Sequence, residues 1–221
     1  MLSIAILIPT FNEEEGIGEL IDQVRRISGD KWTIYVVDSQ STDQTVEIAK
    51  LKGVKIINTI ERGKGLAINT AFQKIDDEFV VVIDADLSYD PKDIPRILEK
   101  LNKYDVVLGS RFKGNIENNS MSVINKFGNF MLNVLANILY FKNVSDVCTG
   151  IWGFTKKTYK SMVIDAPHFE LEANFFTQAI KKKFTICEVP ISYKKRAGIS
   201  KLGIIDGFKI ALYLIKSKMG P

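Results

Sequence analysis

Val80-Val81-Val82-Ile83-Asp84-Ala85-Asp86 is an apolar run that ends in two carboxylates one residue apart. Four consecutive β-branched residues without a helical period predict a strand buried on both faces. Open α/β sheets bind ligands beyond the carboxyl ends of their strands, so the end of this strand predicts a binding site. Asp84 and Asp86 point to the same side of an extended segment, where both could hold one hard divalent cation that also grips a diphosphate. A strand-ending turn with two solvated acids is the alternative that this motif leaves open.

Two other segments in the first half repeat the pattern of a short apolar strand followed by a polar loop. Ile4–Ile8 is closed by Pro9 and by acids that suit the first turn of a helix. Trp32–Val37 runs into the polar loop 38–43, which precedes a helical stretch over Gln44–Leu51. Three strands that end in acidic loops and alternate with helices predict an α/β fold with a mostly parallel sheet. The functional edge of that sheet is expected to carry the three loops.

Length and composition predict one domain. A chain of 221 residues with 46% hydrophobic residues can bury a substantial core, and no linker rich in proline, glycine or serine divides it. Ile4–Ile8 is too short for the apolar region of a signal peptide and follows no basic segment, so no export signal is expected. Two cysteines, Cys148 and Cys187, form no disulfide framework and favour a reducing cytoplasm. The single histidine, His168, excludes a histidine-rich zinc site.

Charge is distributed unevenly along the chain, which has a net charge of +4. Residues 111–221 contain 17 Lys and Arg against 7 Asp and Glu, whereas residues 1–110 contain 13 against 19. The acidic half carries the predicted metal and nucleotide loops, so the basic half is expected to face an anionic partner. Nucleic acid is disfavoured because no nucleic-acid-binding motif accompanies the charge. An anionic membrane surface with a phosphate-bearing lipid fits better.

Two amphipathic segments in the basic half favour a membrane-surface interpretation. Between Ser122 and Phe141 an asparagine recurs at every fourth position from 125 to 137, which predicts one polar stripe on an otherwise apolar helix. Such a helix would either lie in the membrane interface or pack on the sheet. Leu202–Ile215 has a second broad apolar face with lysines nearby. Neither segment holds the roughly 20 uninterrupted apolar residues of a spanning helix, so peripheral attachment or self-association is expected.

Phosphate-binding side chains are also expected in the basic half. Arg111 follows the apolar run Val106–Leu108 and is therefore expected at another strand end, where its planar guanidinium suits a phosphate. In the segment Arg196-Ala197-Gly198-Ile199-Ser200-Lys201, the glycine permits a close backbone approach while serine and lysine add donors. A solvated basic loop is the alternative for this segment.

Six motifs resemble, in chain order, those of family 2 glycosyltransferases. They are Ile8-Pro9-Thr10-Phe11-Asn12-Glu13, Val36-Val37-Asp38-Ser39-Gln40-Ser41-Thr42-Asp43, Arg62-Gly63-Lys64-Gly65, Asp84-Ala85-Asp86-Leu87, Gly109-Ser110-Arg111 and Gly198-Ile199-Ser200-Lys201. Within that family the chain is similar to dolichol-phosphate mannosyltransferases and their polyprenyl-phosphate glucosyl or N-acetylglucosaminyl relatives. The resemblance covers essentially the whole chain. It implies a single Rossmann-like domain of the GT-A type over residues 1–221, with a nucleotide and metal half at 1–110 and an acceptor half at 111–221.

The resemblance implies transfer of a hexosyl group from a nucleotide sugar, GDP-mannose or a UDP-sugar, to dolichyl or polyprenyl phosphate. It also implies Mg2+ or Mn2+ as cofactor, an inverting outcome and a cytoplasmic protein that is peripheral at the inner face of the membrane. A phosphate monoester has a second pKa near ~6, so this acceptor needs no catalytic base. A separate anchoring subunit or a second copy of the chain is a further expected partner. A soluble saccharide or protein acceptor, and a non-enzymatic nucleotide-sugar scaffold, remain open alternatives.

The resemblance also implies roles for individual residues. Those expected to bind the nucleotide sugar are Pro9, Asn12, Glu13, Asp38, Arg62, Lys64, Asp84, Ala85 and Asp86, with Asp84 and Asp86 as metal ligands. Those expected at the acceptor phosphate are Arg111, Lys126, Arg196, Ser200 and Lys201. Asp86 and Arg111 are the expected catalytic residues. Asp146 and Trp152 are expected to line the sugar pocket.

The chain departs from the family pattern at three places. Ser39 stands where related enzymes often have the second of two adjacent acids, which leaves base selectivity open. Ser88 stands where many mannosyl relatives have a glutamine near the metal, so water or the diphosphate is expected as third ligand. Mannosyl relatives tend to carry an arginine between the two acceptor motifs, but none occurs from 112 to 195. Either Lys113 or Lys126 substitutes for it, or the contact is missing.

Overall fold

Strands and helices alternate through the computed structural model, which describes residues 2–198 and 203–219. The strands in this part of the chain are β1 (Ile4–Thr10), β2 (Thr33–Asp38), β3 (Lys55–Asn58), β4 (Phe79–Ile83), β5 (Val106–Ile116), β6 (Ile151–Thr155) and β7 (Ile186–Tyr193). The α-helices are α1 (Ile17–Ser28), α2 (Thr45–Leu51), α3 (Lys64–Lys74), α4 (Ile94–Leu101), α5 (Val123–Tyr140), α6 (Lys156–Ser161), α7 (Leu171–Lys181) and α8 (Ile204–Met219). A short 3-10 helix, Pro91–Asp93, precedes α4.

The strands form one sheet in the order β3-β2-β1-β4-β6-β5-β7. Strands β1 to β4 pair in parallel, β5 and β7 pair in parallel, and β6 runs antiparallel between β4 and β5. The predicted mostly parallel α/β sheet is therefore confirmed. Since β1, β2 and β4 point the same way, the loops that follow them leave the sheet at one edge, which we call the carboxyl edge.

Strand β4 is buried on both faces, as its apolar run predicts. Val80 and Val82 belong to the core beneath α3, α6 and α7, while Val81 and Ile83 belong to the core beneath α1 and α4. All four side chains are buried. Burying a side chain of this size contributes roughly 1.5–3 kcal/mol, so both cores depend on this strand. Its first charged residue, Asp84, comes only where the strand ends.

Two predicted strand ends are wrong. Pro9 does not close β1, because it pairs with Val37 and the strand continues to Thr10. The proline is tolerated because β4 accompanies β1 only as far as Leu7, so Pro9 has one neighbouring strand instead of two. Arg111 does not follow a strand but lies inside β5, which extends to Ile116. The prediction stopped at Leu108 because the apolar run of β5 ends there, although the strand stays buried through Arg111 and its pairing with β7 goes on beyond an irregularity between 110 and 115.

Helix α5 turns its polar stripe toward the protein. The Asn133 amide donates to the carbonyl of Ser145 and accepts from the backbone N–H of Val147, and Asn137 makes the same pair of bonds with Val144. Leu132, Leu135 and Leu139 pack on the core beside these amides, but many other apolar side chains of the helix are exposed. They are Val123, Ile124, Phe127, Phe130, Met131 and Ile138. The inner face of α5 thus combines amides with apolar side chains, while much of its outer face is apolar and exposed.

Helix α8 lies beside α5 and α7. The Tyr140 hydroxyl donates to the carbonyl of Leu214 over 2.9 Å, and the Asn174 amide donates to the Tyr213 hydroxyl over 2.7 Å. The first half of α8 exposes Ile205 and Phe208. In the described ranges 2–198 and 203–219, no helix combines the length and the apolar character that crossing a membrane requires.

The start of α3 is covered by the main chain of the segment 166–168. The backbone N–H of Gly65 donates to the carbonyl of Pro167 over 3.0 Å. A Cβ atom on Gly65 would lie 1.7 Å from the carbonyl oxygen of Ala166, and one on Gly63 would lie 2.3 Å from that of Pro167. Both glycines are therefore required by the close approach of two backbones, which holds the first turn of α3 in place.

We expect Gly65→Ala to destabilise the fold by about 1–3 kcal/mol, because the methyl group meets backbone that cannot rotate away. Gly128→Ala in α5 is the matched control, since no atom lies within 4 Å of a Cβ there. Alanine in an exposed helix should be neutral or stabilise by up to ~1 kcal/mol. Urea unfolding of the two variants measures the difference. Equal stabilities would show that the segment 166–168 is not held against α3.

Candidate active site

A cavity of about 1120 Å3 opens at the carboxyl edge of the sheet. Many of the predicted site residues line it. They are Pro9, Glu13, Arg62, Lys64, Asp84, Ala85, Asp86, Arg111 and Arg196. Residues from both halves of the chain therefore meet in one space, which is slightly larger than the usual range of about 300–1,000 Å3 for small-molecule sites.

Asp84 shares an ion cluster with Lys64 and Glu172. The Lys64 ammonium lies 2.6 Å from Asp84 Oδ1 and 2.5 Å from Glu172 Oε1. All three side chains are largely buried and line the cavity. The other oxygen of Asp84 faces Gly150, where a Cβ atom would lie only 2.0 Å from it. The absence of a side chain at Gly150 gives the Asp84 carboxylate its room.

Burial and neighbouring charges shift the pKa values of Asp84 and Lys64 in opposite directions. Burial raises the pKa of Asp84 above its usual range, and the Lys64 ammonium opposes that effect. Burial lowers the pKa of Lys64, but the charges of Asp84 and Glu172 outweigh it and hold that pKa above its usual range. Lys64 is therefore a permanent cation at the end of β4.

Asp86 lies between the loop that follows β4 and the basic segment that follows β7. Its Oδ1 accepts from the backbone N–H of Ser88 at 3.0 Å and from the Ser88 hydroxyl at 2.5 Å. Its Oδ2 lies 3.3 Å from a guanidinium nitrogen of Arg196. The backbone N–H of Ala197 donates to the carbonyl of Asp86 over 2.7 Å, which fixes the basic segment on the acidic loop. The Nε of Arg196 is buried and has no hydrogen-bond partner in the structure's described ranges.

The Asp84 and Asp86 carboxylates fit a hard divalent cation that is shared with a ligand. Their oxygens are the donors that Mg2+ and Mn2+ prefer, and both residues line the cavity. Within residues 2–198 and 203–219 no group of three or more His, Cys, Asp or Glu could hold a metal ion. The Ser88 hydroxyl already donates a hydrogen bond to Asp86. A cation here would therefore complete its coordination with water or with phosphate oxygens.

Arg111 is held rigidly by a buried ion pair with Asp146. Its Nε donates to Asp146 Oδ2 over 2.8 Å and its Nη2 to Asp146 Oδ1 over 2.7 Å. The same Nη2 also donates to Asn129 Oδ1 and to the carbonyl of Cys148. Burial lowers the pKa of Arg111, but the Asp146 charge outweighs it and holds that pKa well above its usual range. The guanidinium therefore enters the cavity in one fixed orientation.

The structure corrects the two residues predicted for the sugar pocket. Asp146 is 0% exposed and directs both carboxylate oxygens at Arg111, so it positions the arginine and does not reach a sugar. Trp152 is also 0% exposed, and its indole N–H donates to the carbonyl of Thr149. It stacks on Phe154 in the core beneath the cavity. Between Asp146 and Trp152, Cys148 lines the cavity wall, and burial raises the pKa of that thiol to about 12.

The loops after β1 and β2 are tied to each other. Asp38 is buried, accepting from the Ser41 backbone N–H and hydroxyl and from the Thr10 hydroxyl. Asn12 accepts from the backbone N–H of Thr42. Neither Asp38 nor Asn12 belongs to the cavity lining, so their predicted contacts with the nucleotide stay predictions. Ser39 does line the cavity, beside the position where Arg62 lies over the ring of Phe11.

Of the residues predicted at the acceptor phosphate, one described residue, Lys126, is not brought to the cavity. Lys126 is exposed on α5 and is not among the lining residues. Ser200 and Lys201 lie outside the described residues. Lys113, expected to substitute for a missing arginine, pairs with Glu188 instead. The residue of α5 that contacts the Arg111 guanidinium is Asn129, whose Oδ1 accepts from Arg111 and which lines the cavity.

Four other cavity residues, Glu172, Tyr89, Tyr193 and His168, were not among the predicted site residues. Glu172 lies in the first turn of α7, where the helix dipole alone accounts for an acid. Tyr89 and Tyr193 pack edge to face, and Arg111 lies over the Tyr193 ring. His168 lines the cavity near Gly63. Only contacts between distant parts of the chain could have identified them.

One wall of the cavity is apolar and continues onto the exposed surface. Helix α5 contributes Ile124, Phe127 and Met131 to it, and α8 contributes Phe208 and Ala211. Phe127 is 63% exposed and Phe208 is 72% exposed, although both line the cavity. The charged floor at the end of β4 is therefore open toward an apolar surface.

Curated relatives resemble the chain over most of its length. The low-salt glycan biosynthesis hexosyltransferase of Haloferax volcanii is 30% identical over 99% of the chain, but the chain spans only 54% of that protein. The dolichyl-phosphate hexose transferase of the same organism is 32% identical over 92% of the chain and 88% of its own length. The dolichol-phosphate mannosyltransferase of Pyrococcus furiosus is 30% identical over 91% of the chain and 59% of its own length.

Among solved structures, the chain resembles glucosyl-3-phosphoglycerate synthase from Mycobacterium tuberculosis. The complex of that protein with Mn2+, UDP and phosphoglyceric acid superposes with a TM-score of 0.79 at 18% identity, over 99% of this chain and 79% of that one. At this identity the likeness concerns the fold, and it confirms the predicted GT-A architecture.

A family model described as glycosyl transferase family 2 matches residues 5–162. The match includes the ends of β1, β2 and β4, where the predicted nucleotide and metal residues lie, and Arg111 in β5. It covers well over half of the chain, and relatives at 30% identity or more align with nearly all of it. The chain belongs to glycosyl transferase family 2.

Proposed function

We propose that this glycosyltransferase moves a hexosyl group from a nucleotide sugar, GDP-mannose or a UDP-sugar, to dolichyl or polyprenyl phosphate. The observation that carries the proposal is the single cavity in which Asp84 and Asp86, the cations Lys64, Arg111 and Arg196, and an open apolar wall all meet. A lipid phosphate has the two parts that such a cavity fits, an anionic head and an apolar chain.

The names of relatives support the same acceptor. One relative is called a dolichyl-phosphate hexose transferase and another a dolichol-phosphate mannosyltransferase. A soluble saccharide would leave the apolar wall of α5 and α8 without a partner. Because exposed apolar patches of this kind mark interaction sites, the lipid acceptor explains more of the surface.

The acceptor phosphate would attack the sugar without a catalytic base. Its second pKa is near ~6, so it is largely dianionic at neutral pH. The chain must hold two anions close together, the acceptor phosphate and the departing diphosphate. Arg111 and Arg196 supply the positive charge for the first, and Lys64 and Arg62 supply it for the second. One displacement with no enzyme nucleophile inverts the configuration of the sugar.

Asp84 and Asp86 would hold Mg2+ or Mn2+, which as a Lewis acid neutralises the charge on the leaving diphosphate. The rest of the site needs only the residues already described. Asp146 and Asn129 keep Arg111 in one orientation. Arg196, which lines the cavity, would present its guanidinium to an anion.

The proposal includes peripheral attachment at the cytoplasmic face of the membrane. Phe127 and Phe130 of α5, with Phe208 of α8, would enter the interface, and the excess of basic residues in the second half would meet anionic lipid. An anchoring subunit or a second copy of the chain would compete for the same surface.

The test is transfer from GDP-mannose, UDP-glucose and UDP-N-acetylglucosamine to dolichyl phosphate in vesicles containing Mn2+. We expect one donor to give a lipid-linked sugar and to raise Tm in the presence of Mn2+. Asp86→Asn should abolish the transfer and the Mn2+-dependent shift, because the amide keeps the bonds from Ser88 but loses the charge. Asp76→Asn, a remote acid paired with Lys156, is the control and should be fully active.

Two results would contradict this proposal. An active Asp86→Asn enzyme would exclude metal binding at the end of β4. Transfer to a soluble saccharide with no transfer to dolichyl phosphate would establish the alternative acceptor.

Arg196→Gln should lower kcat/KM for the lipid acceptor and leave the affinity for the nucleotide unchanged. Losing a charge-assisted contact of about 1.5–3 kcal/mol corresponds to roughly 10- to 150-fold. Lys194→Gln is the matched control, because Lys194 lies two residues away and already pairs with Asp90. Steady-state kinetics with each substrate varied separates the two effects. If Arg196→Gln instead weakens nucleotide binding, Arg196 serves the donor diphosphate through its contact with Asp86.

The protein should float with anionic vesicles, and added salt should reduce the bound fraction because charge attraction is screened. Replacing by serine both Phe130 and Phe141, which is exposed directly after α5, should lower vesicle partitioning by at least roughly 10-fold, since each phenylalanine contributes up to about 1.5–3 kcal/mol when buried. Leu51→Ser with Ile60→Ser, also highly exposed but away from α5, is the control. Equal flotation of both double variants would contradict attachment through α5.

A further inference from the structure

The Lys64 ammonium lies beside Asp84, where the proposed mechanism requires a divalent cation. Its ammonium lies 2.6 Å from an oxygen of Asp84, a predicted metal ligand, and 2.5 Å from an oxygen of Glu172. Only 18% of the Lys64 side chain and 10% of the Glu172 side chain are exposed, so water screens these charges weakly. Lys64 is the resident counter-ion of Asp84.

A divalent cation at Asp84 would lie within a few ångströms of this ammonium. Like charges at such a distance repel strongly in a partly buried site. The cation and the lysine therefore compete for Asp84 as long as no anion joins them. A diphosphate removes the conflict, because its oxygens accept from the ammonium and bind the cation together.

We propose that Lys64 blocks cation binding at Asp84 until the donor diphosphate arrives, and that Glu172 is the positioning residue that retains Lys64 in the cavity during the exchange. This inference rests on the proposed function, since it requires a cation and a nucleoside diphosphate at the end of β4. Its consequence is a binding order, in which the cation binds weakly alone and tightly with the nucleotide.

Glu172 suits this role because it holds the ammonium from a different part of the fold. It lies in the first turn of α7, whereas Lys64 is the first residue of α3, 108 positions earlier. The segment 166–168 that leads toward α7 also covers the start of α3. Release of Lys64 from Asp84 thus leaves its second contact in place, and the ammonium stays near the diphosphate.

The experiment measures Mn2+ affinity from the electron paramagnetic resonance signal of free Mn2+. The full chain is titrated alone, with UDP and with GDP. Lys64→Met removes the charge at similar length, and Lys64→Gln is the second variant in case the first does not fold. Lys156→Met is the matched control, since that lysine pairs with Asp76 far from the cavity. Thermal unfolding confirms that each variant is folded.

Removing the Lys64 charge should tighten Mn2+ binding in the absence of nucleotide by about 5-fold or more, and should reduce the gain that UDP or GDP brings by a similar factor. Lys156→Met should change neither quantity. Unchanged or weaker Mn2+ binding by both Lys64 variants without nucleotide would overturn the inference and leave the proposed function intact. A wild-type chain that binds no Mn2+ even with UDP or GDP would overturn both.

A double-mutant cycle tests the role of Glu172. Glu172→Gln should alter the nucleotide-induced gain in Mn2+ affinity by about 5-fold or more in the wild-type background. In the Lys64→Met background it should alter that gain by less than about 2-fold, because Glu172 acts through the lysine. An equal effect in both backgrounds would show that Glu172 contacts the ligand directly, and would overturn its role as a positioning residue.

Discussion

Charge balance at the end of β4 is the constraint on which the rest of the site depends. The strand is buried on both faces, so its first polar residues come where it ends, and Asp84 and Asp86 are still largely enclosed there. Enclosed carboxylates require cations nearby. One cation, Lys64, comes from the first residue of α3, and the other, Arg196, comes from the segment after β7. The start of α3 in turn depends on two glycines that admit the backbone of residues 166–168.

This balance joins the two halves of the chain more closely than their composition indicates. The sequence predicts an acidic donor half and a basic acceptor half, each with its own ligand. In the structure Arg196 of the basic half lies on Asp86 of the acidic half, and Glu172 of the basic half holds Lys64 of the acidic half. The predicted donor and acceptor groups are thus interleaved, so that two anionic substrates would lie side by side among shared cations.

Local patterns predicted the sheet and the end of β4, because a run such as Val80–Ile83 favours a buried strand, but they ended β1 too early at Pro9. The family resemblance assigned Asp84, Asp86 and Arg111 to one site, and all three line the same cavity. The resemblance failed for Asp146 and Trp152, since a motif gives the order of residues but not the face that each presents. The place of Glu172 in the cavity was not predicted for a related reason. Its partner lies 108 positions away, and its local position in a first turn is already accounted for by the helix dipole.

The exposed apolar surface of α5 follows from the same requirement to hold a buried charge. Arg111 must be fixed by Asp146, and the loop that carries Asp146 has backbone groups that need hydrogen-bond partners. Asn133 and Asn137 supply these partners, and Asn129 binds the arginine itself. A helix that turns its amides inward must turn its other side outward, and in α5 that side is apolar. Holding one arginine in the cavity therefore leaves an apolar surface beside it, where the apolar chain of a lipid phosphate would lie.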